Sequence, residues 1–288
     1  MTRVENALGG VFAYLILHPL RRRPHKDPSV FGLSFVEQTV RTHDGHRLAC
    51  WLVGSDSRRV AVLGHGIGQG KSASLRTAQL LVARGYQVLM FDHRGHGASQ
   101  GDRRIWRVAD RFTDDILSAS RWMAERFDPR ILVVFGYSFS TFPTVYALAS
   151  GTLPADAVVC ESGPGLNLAG MFESFLLRAS KRSTLLGRLM RSPGLRHATA
   201  AAAVRMLGAS WPPRATEGLL ADIPQLYLVG EEDTVIHADE VSALVDAWSR
   251  AEVHRIPGGH LRLSSSAGAE YDRLVYEFLD RVEQDTRR

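Results

Sequence analysis

The sequence predicts an α/β fold: a mostly parallel sheet with an N-terminal antiparallel hairpin, helices on both faces, and a helical cap insertion. Three observations predict it. Short, continuously apolar runs alternate with helical segments, and uninterrupted apolar strands are those covered on both faces, as in a parallel sheet flanked by helices. Ahead of them stand two alternating segments joined by Asp44-Gly45, a tight-turn signal. After Ala157–Glu161 the alternation breaks, and residues 162–213 are helical in pattern, rich in Leu, Ala and Arg, and interrupted by Pro193-Gly194.

The elements follow in order. Leu8–Leu17 is an apolar run too short to span a bilayer comfortably, and the arginines Arg21, Arg22 and Arg23 follow it, which is not the layout of a signal peptide. The run reads as a leading helix packed on the domain surface, with docking on a membrane surface or partner as the alternative. Ser34–Thr42 and His46–Val53 form the hairpin. Strands are then expected at 59–63, 87–91, 131–135 and 157–161, with helices at about 74–84, 108–126 and from Phe139. Beyond the cap come a strand at 225–229, a helix at about 238–250, a strand at 252–256 and an amphipathic helix at about 268–284. The expected division is a lead segment 1–33, a core of 34–161 and 214–288, and a cap 162–213.

A chain of 288 residues with 45% hydrophobic content can bury a large core. Its net charge of +5 is small, but the location of the basic residues is informative. Between Leu168 and Pro213 stand Arg178, Lys181, Arg182, Arg188, Arg191, Arg196 and Arg205 against Glu173 alone. Cys50 and Cys160 both fall in apolar strands with no sign of pairing, so a reducing, cytoplasmic setting is the expectation.

Gly64–Ser72 resembles a phosphate-binding loop at first sight. Such a loop needs Gly, four residues, then Gly-Lys-Ser/Thr, and counting back from Gly70-Lys71-Ser72 puts His65 where the first glycine belongs. Nucleotide binding is therefore set aside.

Gly136-Tyr137-Ser138-Phe139-Ser140 lies directly between a predicted strand and a predicted helix. A serine on such a turn is displayed at the carboxyl edge of the sheet, and small residues two before and two after let strand and helix pass closely. Here the second small residue is Ser140, where glycine is usual. A serine hydroxyl needs a histidine to take its proton and an acid to orient the imidazole. His260 follows strand 252–256 and Asp233 follows strand 225–229, both on the same sheet edge. Glu231, Glu232 and Glu161 remain alternatives for the acid. His93 and His96 have His-x-x-His spacing without an accompanying ligand set, so they read as loop structure rather than a metal site.

These residues resemble the α/β-hydrolase superfamily from about Ser34 to the final helix. His65-Gly66 is similar to its oxyanion-loop dipeptide and Asp92–Ser99 to its D-x-R-G-x-G-x-S loop. The resemblance implies that the amides of Ile67 and Phe139 form an oxyanion hole, so that the glycines of the first loop serve a carbonyl oxygen and not a phosphate. A serine hydrolase cleaving an ester, thioester or amide through an acyl-enzyme is the leading expectation. An acyltransferase, a cofactor-free lyase or cyclase, and a non-catalytic binding protein on the same fold are the alternatives. No cofactor, metal or nucleic acid is expected. The basic cap suggests a small acyl substrate with an anionic or carrier-bound handle.

Overall fold

The computed structural model describes residues 2–21 and 26–286; Arg22 and Arg23 of the basic stretch lie outside them. Ten α-helices and eight strands follow one another among these residues. Helix α1 (Arg3–Leu17) precedes strands β1 (Phe35–Arg41), β2 (Arg47–Val53) and β3 (Arg59–Leu63). Then come α2 (Leu75–Ala83), β4 (Gln87–Phe91), α3 (Val108–Phe127), β5 (Ile131–Tyr137), α4 (Thr141–Ala149) and β6 (Ala157–Glu161). The insertion holds α5 (Leu168–Ser180), α6 (Leu185–Leu189) and α7 (Pro193–Leu207). The chain closes with β7 (Gln225–Gly230), α8 (Ala238–Val245), β8 (Ala251–Ile256), α9 (Leu263–Ser266) and α10 (Gly268–Asp285).

The strands form one sheet in the order β1-β2-β4-β3-β5-β6-β7-β8. The β1–β2 and β2–β4 pairings are antiparallel and all later ones parallel. The central strands are buried throughout because each feeds two cores. In β3, Val60 and Val62 pack with Ile116 and Met123 of α3, while Ala61 and Leu63 pack with Leu81 of α2 and Phe278 of α10. Successive strand side chains point to opposite faces, so a strand between two helical layers is apolar on both faces, and Arg59, Gln87, Glu161 and Gln225 stand only at strand ends. Helix α10 needs only one apolar stripe, and Tyr271, Leu274, Val275, Phe278 and Val282 supply it at helical spacing.

Helix α8 ends at Val245, five residues short of the expected Arg250. There the Trp248 amide turns back to the Val245 carbonyl (2.8 Å) and the Trp248 ring is buried beside Tyr227, which feeds the chain into β8. At the other end of the chain, Thr2 and Glu5 form a reciprocal capping box that starts α1. Helix α1 packs along α7 of the insertion, with Gly9 against Ala198 and with Ala13 and Leu17 buried. Its opposite face leaves Val4, Leu8, Val11 and Leu15 exposed. No described helix is long and apolar enough to cross a membrane.

Candidate active site

The turn after β5 holds Ser138 at φ 48°, a left-handed backbone angle that an L-residue adopts only under constraint. The constraint is visible around it. A Cβ at Gly136 would lie 2.9 Å from the Thr141 Cα, so only glycine lets α4 start this close to the strand. Ser140 occupies space that Gly64 leaves: a Cβ on Gly64 would stand 2.1 Å from the Ser140 hydroxyl oxygen. The serine that departs from the usual glycine is thus matched by a glycine on the neighbouring strand end. Its buried hydroxyl meets Nε2 of His93 at 3.0 Å, and Nδ1 of His93 faces Asp115 at 3.3 Å.

Ser138 Oγ lies 2.7 Å from His260 Nε2, and His260 Nδ1 lies 2.8 Å from Asp233 Oδ2. The other Asp233 oxygen accepts the amides of Val235 (2.9 Å) and Ile236 (3.0 Å). Burial alone would raise this carboxyl; the hydrogen bond and charge of His260, with the two amides, outweigh it and hold the group below its ordinary range. The loop carrying His260 is tied down by the Leu261 amide, which donates to Ser162 Oγ at 3.1 Å. No sequence pattern announces that tie, because Ser162 acts through its place after β6.

Of the alternative acids, Glu231 and Glu232 are exposed and neither is bonded to His260, while Glu161 is buried and likewise makes no bond to it. Burial, with the nearby Asp233 charge, pushes Glu161 up to about 7 although Tyr271 and the Leu263 amide favour its ionised form. A carboxyl raised in the fold from 4.5 to about 7 contributes stability that is complete below 4.5 and is lost as pH rises through about 7. Glu161→Gln is therefore expected to flatten the fall of Tm between those two pH values, measured by calorimetry in matched buffers. A slope unchanged from wild type would show that Glu161 titrates no differently in the folded and unfolded chain.

The two histidines at metal-like spacing are used structurally. His96 Nε2 accepts the Gly68 amide (3.1 Å) and its Nδ1 donates to the Arg94 carbonyl (3.0 Å). His65 donates from Nδ1 to the Gly66 carbonyl (2.8 Å) and accepts the His93 amide at Nε2 (3.0 Å). Burial lowers His65 to about 3 and His96 to about 4, so both are neutral rings that shape the loop before Ile67. Arg94 in the next loop is buried and locks it to α3 through Asp115 (2.7 Å) and to the first hairpin through Asp44 (2.8 Å). Among the described residues, no group of three or more His, Cys, Asp or Glu is arranged to hold a metal ion.

Lys71, the residue that made Gly64–Ser72 look like a phosphate loop, is buried. Its Nζ lies 2.6 Å from Asp92 Oδ2 and 4.6 Å from the centre of the Trp51 ring.

Ile67 and Phe139 both line the cavity that exposes Ser138. The Ile67 amide donates to no acceptor among the described residues. Phe139 is the second residue of the 3-10 turn Ser138–Ser140, a position whose amide has no partner within the turn. Two cavities meet at the serine. One is apolar and runs under the insertion between Phe142, Leu168, Met171, Phe172, Phe175 and Leu207. The other opens past His260 between Gly66, Gln69, Arg178, Arg182 and Arg262.

A family model described as "Serine aminopeptidase, S33" matches residues 55–204, and one described as "Serine hydrolase (FSH1)" matches residues 165–262. A monoacylglycerol lipase of Mycolicibacterium smegmatis is 27% identical over 232 residues, which are 71% of this chain and 80% of that protein. Among solved structures, an esterase of Pyrococcus furiosus superposes with a TM-score of 0.76 at 19% identity, covering 92% of this chain and 98% of the other. A structure described as a membrane phospholipase A superposes with a TM-score of 0.60 at 20% identity, covering 97% of this chain and 89% of the other. At these identities the structural likeness establishes the α/β-hydrolase fold.

Proposed function

The chain belongs to the serine aminopeptidase S33 family, and on that premise we propose that Ser138 is the nucleophile, His260 the proton carrier and Asp233 the acid of an esterase or lipase-like serine hydrolase. The observation that carries this reading is the unbroken run of two hydrogen bonds, 2.8 Å and 2.7 Å, from a buried carboxylate to a serine in a strained turn at the mouth of an apolar cavity. His260 takes the Ser138 proton as Oγ adds to the acyl carbon. The Ile67 and Phe139 amides receive the oxygen as it becomes negative. The proton then passes to the leaving group, and a water activated by the same imidazole releases the acid. In this reading residues 162–213 act as a cap over a core of 34–161 and 214–288, with the lead segment 1–33 lying beside them.

An ester or thioester fits the surroundings better than a peptide held by its amino terminus. A terminal ammonium needs a carboxylate near the scissile bond, and neither cavity at Ser138 is lined by Asp or Glu. The apolar cavity suits an acyl chain, and the arginines beside it suit an anionic or carrier-bound handle. Two buried cysteines, Cys50 and Cys160, have no disulfide and support a reducing, cytoplasmic setting.

A fluorophosphonate probe, followed by p-nitrophenyl esters of graded chain length, tests the assignment. One adduct on Ser138, absent from Ser138→Ala, is the expected result; equal labelling of that variant would overturn it. The outer stripe of α1, Val4, Leu8, Val11 and Leu15, supports contact of the N-terminal segment with a membrane surface. Co-sedimentation with anionic vesicles should fall in Val4→Asp/Val11→Asp, and equal sedimentation of wild type and variant would remove that contact from the reading.

A further inference from the structure

The two cavities at Ser138 are not equivalent, and the position of His260 decides what enters each. In acyl transfer from an ester, the Ser138 Oγ–acyl carbon bond forms and the bond from that carbon to the leaving oxygen or sulfur breaks. The leaving atom departs with the proton that His260 Nε2 took from Ser138. It must therefore lie on the imidazole side, within hydrogen-bond reach of Nε2. His260 lines the cavity of Arg178, Arg182 and Arg262 and is absent from the apolar one. The acyl chain consequently runs under the insertion among Phe142, Leu168 and Phe172, and the leaving group faces the arginines.

We infer that the leaving group carries a phosphate and that Arg178, Arg182 and Arg262 form its subsite; this rests on the serine hydrolase reading above and adds to it which side of the scissile bond is charged. Three arginines line this cavity, and no carboxylate does. Among the described residues none of the three has an ion-pair partner, and neither have Arg188 and Arg205 elsewhere on the insertion; what sets the three apart is that they line one cavity together. Unpaired cations grouped at a cavity mouth repel one another unless an anion joins them. A guanidinium fork pairs with carboxylate and phosphate alike, and of the two only phosphate has oxygens enough for three arginines. Helix α5 supplies Arg178, the turn after it supplies Arg182, and the loop of His260 supplies Arg262, so the group is held from two sides of the cleft. A glycerophosphate ester and a coenzyme A thioester both present phosphate on this side.

The test compares kcat/KM for substrates of one acyl chain length: a monoacylglycerol, a monoacylglycerol phosphate, an acyl-coenzyme A, and a neutral-alcohol ester whose acyl chain ends in a carboxylate. The expected result is a preference of about tenfold or more for the phosphate-bearing leaving groups over the monoacylglycerol at low ionic strength, carried mainly in KM. Arg178→Gln/Arg182→Gln and Arg262→Gln should each erase most of that ratio, and an anion on the acyl side should bring no gain. Preference for the glycerophosphate or for the thioester tells which source supplies the phosphate. A ratio near one in the wild type, or one that survives both variants, overturns the inference while leaving the hydrolase intact. If every ester is inert and the fluorophosphonate fails to label, the hydrolase reading itself has failed. Calorimetry with glycerol 3-phosphate then still decides the subsite: binding lost in the arginine variants upholds it, and no binding to the wild type removes it.

Discussion

Ser138→Ala should lower kcat on a neutral p-nitrophenyl ester by roughly 10⁴- to 10⁶-fold, and His260→Ala by a similar factor. The two losses should not add. Without the imidazole at 2.7 Å the hydroxyl keeps its proton and is a weak nucleophile, and without the hydroxyl the imidazole has no proton to take. On the proposed mechanism, what remains in either single variant is the stabilisation offered by the Ile67 and Phe139 amides and by substrate binding, and the double variant retains the same. Asp233→Asn should cost on the order of 10⁴-fold, because an amide that donates toward Nδ1 favours the wrong tautomer. Turnover measured on variants whose Tm matches wild type checks all four. An inert Asp233→Asn substitution together with a crippling Glu161→Gln would move the acid to the end of β6.

Lys71→Met should be among the most damaging changes to the fold. The Lys71 and Asp92 side chains are 4% and 0% exposed, and Asp92 also accepts the amides of Lys71 (2.7 Å) and Ala98 (2.9 Å). Removing the ammonium leaves a carboxylate buried without its countercharge, at a cost of about 3–5 kcal/mol. In a chain of this size that is a fall in Tm on the order of 10 °C. The pH dependence has a definite sign. Burial would raise the Asp92 carboxyl, but the charge of Lys71, with the hydrogen bonds from its ammonium and its amide, holds it below its ordinary value of 3.8. The stabilisation is present above that value and is lost as pH falls through the lower, folded-state one. The gap between wild type and Lys71→Met should therefore narrow in acid. A gap that stays constant as the pH is lowered would mean that Lys71 contributes through packing on Trp51 alone.

The strands were legible because burial on two faces forces apolar residues on both faces of the strand interior, and runs such as Val60–Leu63 or Val88–Phe91 are too short for a buried helix and too uniformly apolar for a half-exposed strand. The three residues now found in hydrogen-bonded sequence were legible for a related reason. Each follows a parallel strand, and parallel strands deliver their ends to one edge. Other features had no local signal. Helix α8 reads as continuing to Arg250, since only the burial of Trp248 against Tyr227 turns the chain earlier. The partner of Ser140 is His93, 47 residues away, and the partner of Lys71 is Asp92 on another strand end. Contacts between segments distant in sequence leave no periodicity. The arginines of the insertion were visible as a charge excess, but that Arg178 and Arg182 share a cavity with Arg262 depends on how the insertion folds over the sheet edge.

The docking of α1 on α7 has a consequence for the birth of the chain. Gly9 leaves the ribosome roughly 190 residues before Ala198, its contact in the finished fold. At about 5–20 residues per second, translation leaves that helix without its partner for on the order of 10–40 s. During that interval both of its apolar faces, the one with Ala13 and Leu17 and the one with Val4 and Val11, are open to whatever lies outside the exit tunnel. A chaperone or a lipid surface encountered then meets a fully two-faced apolar helix, and only one of those faces is withdrawn once α7 has been made.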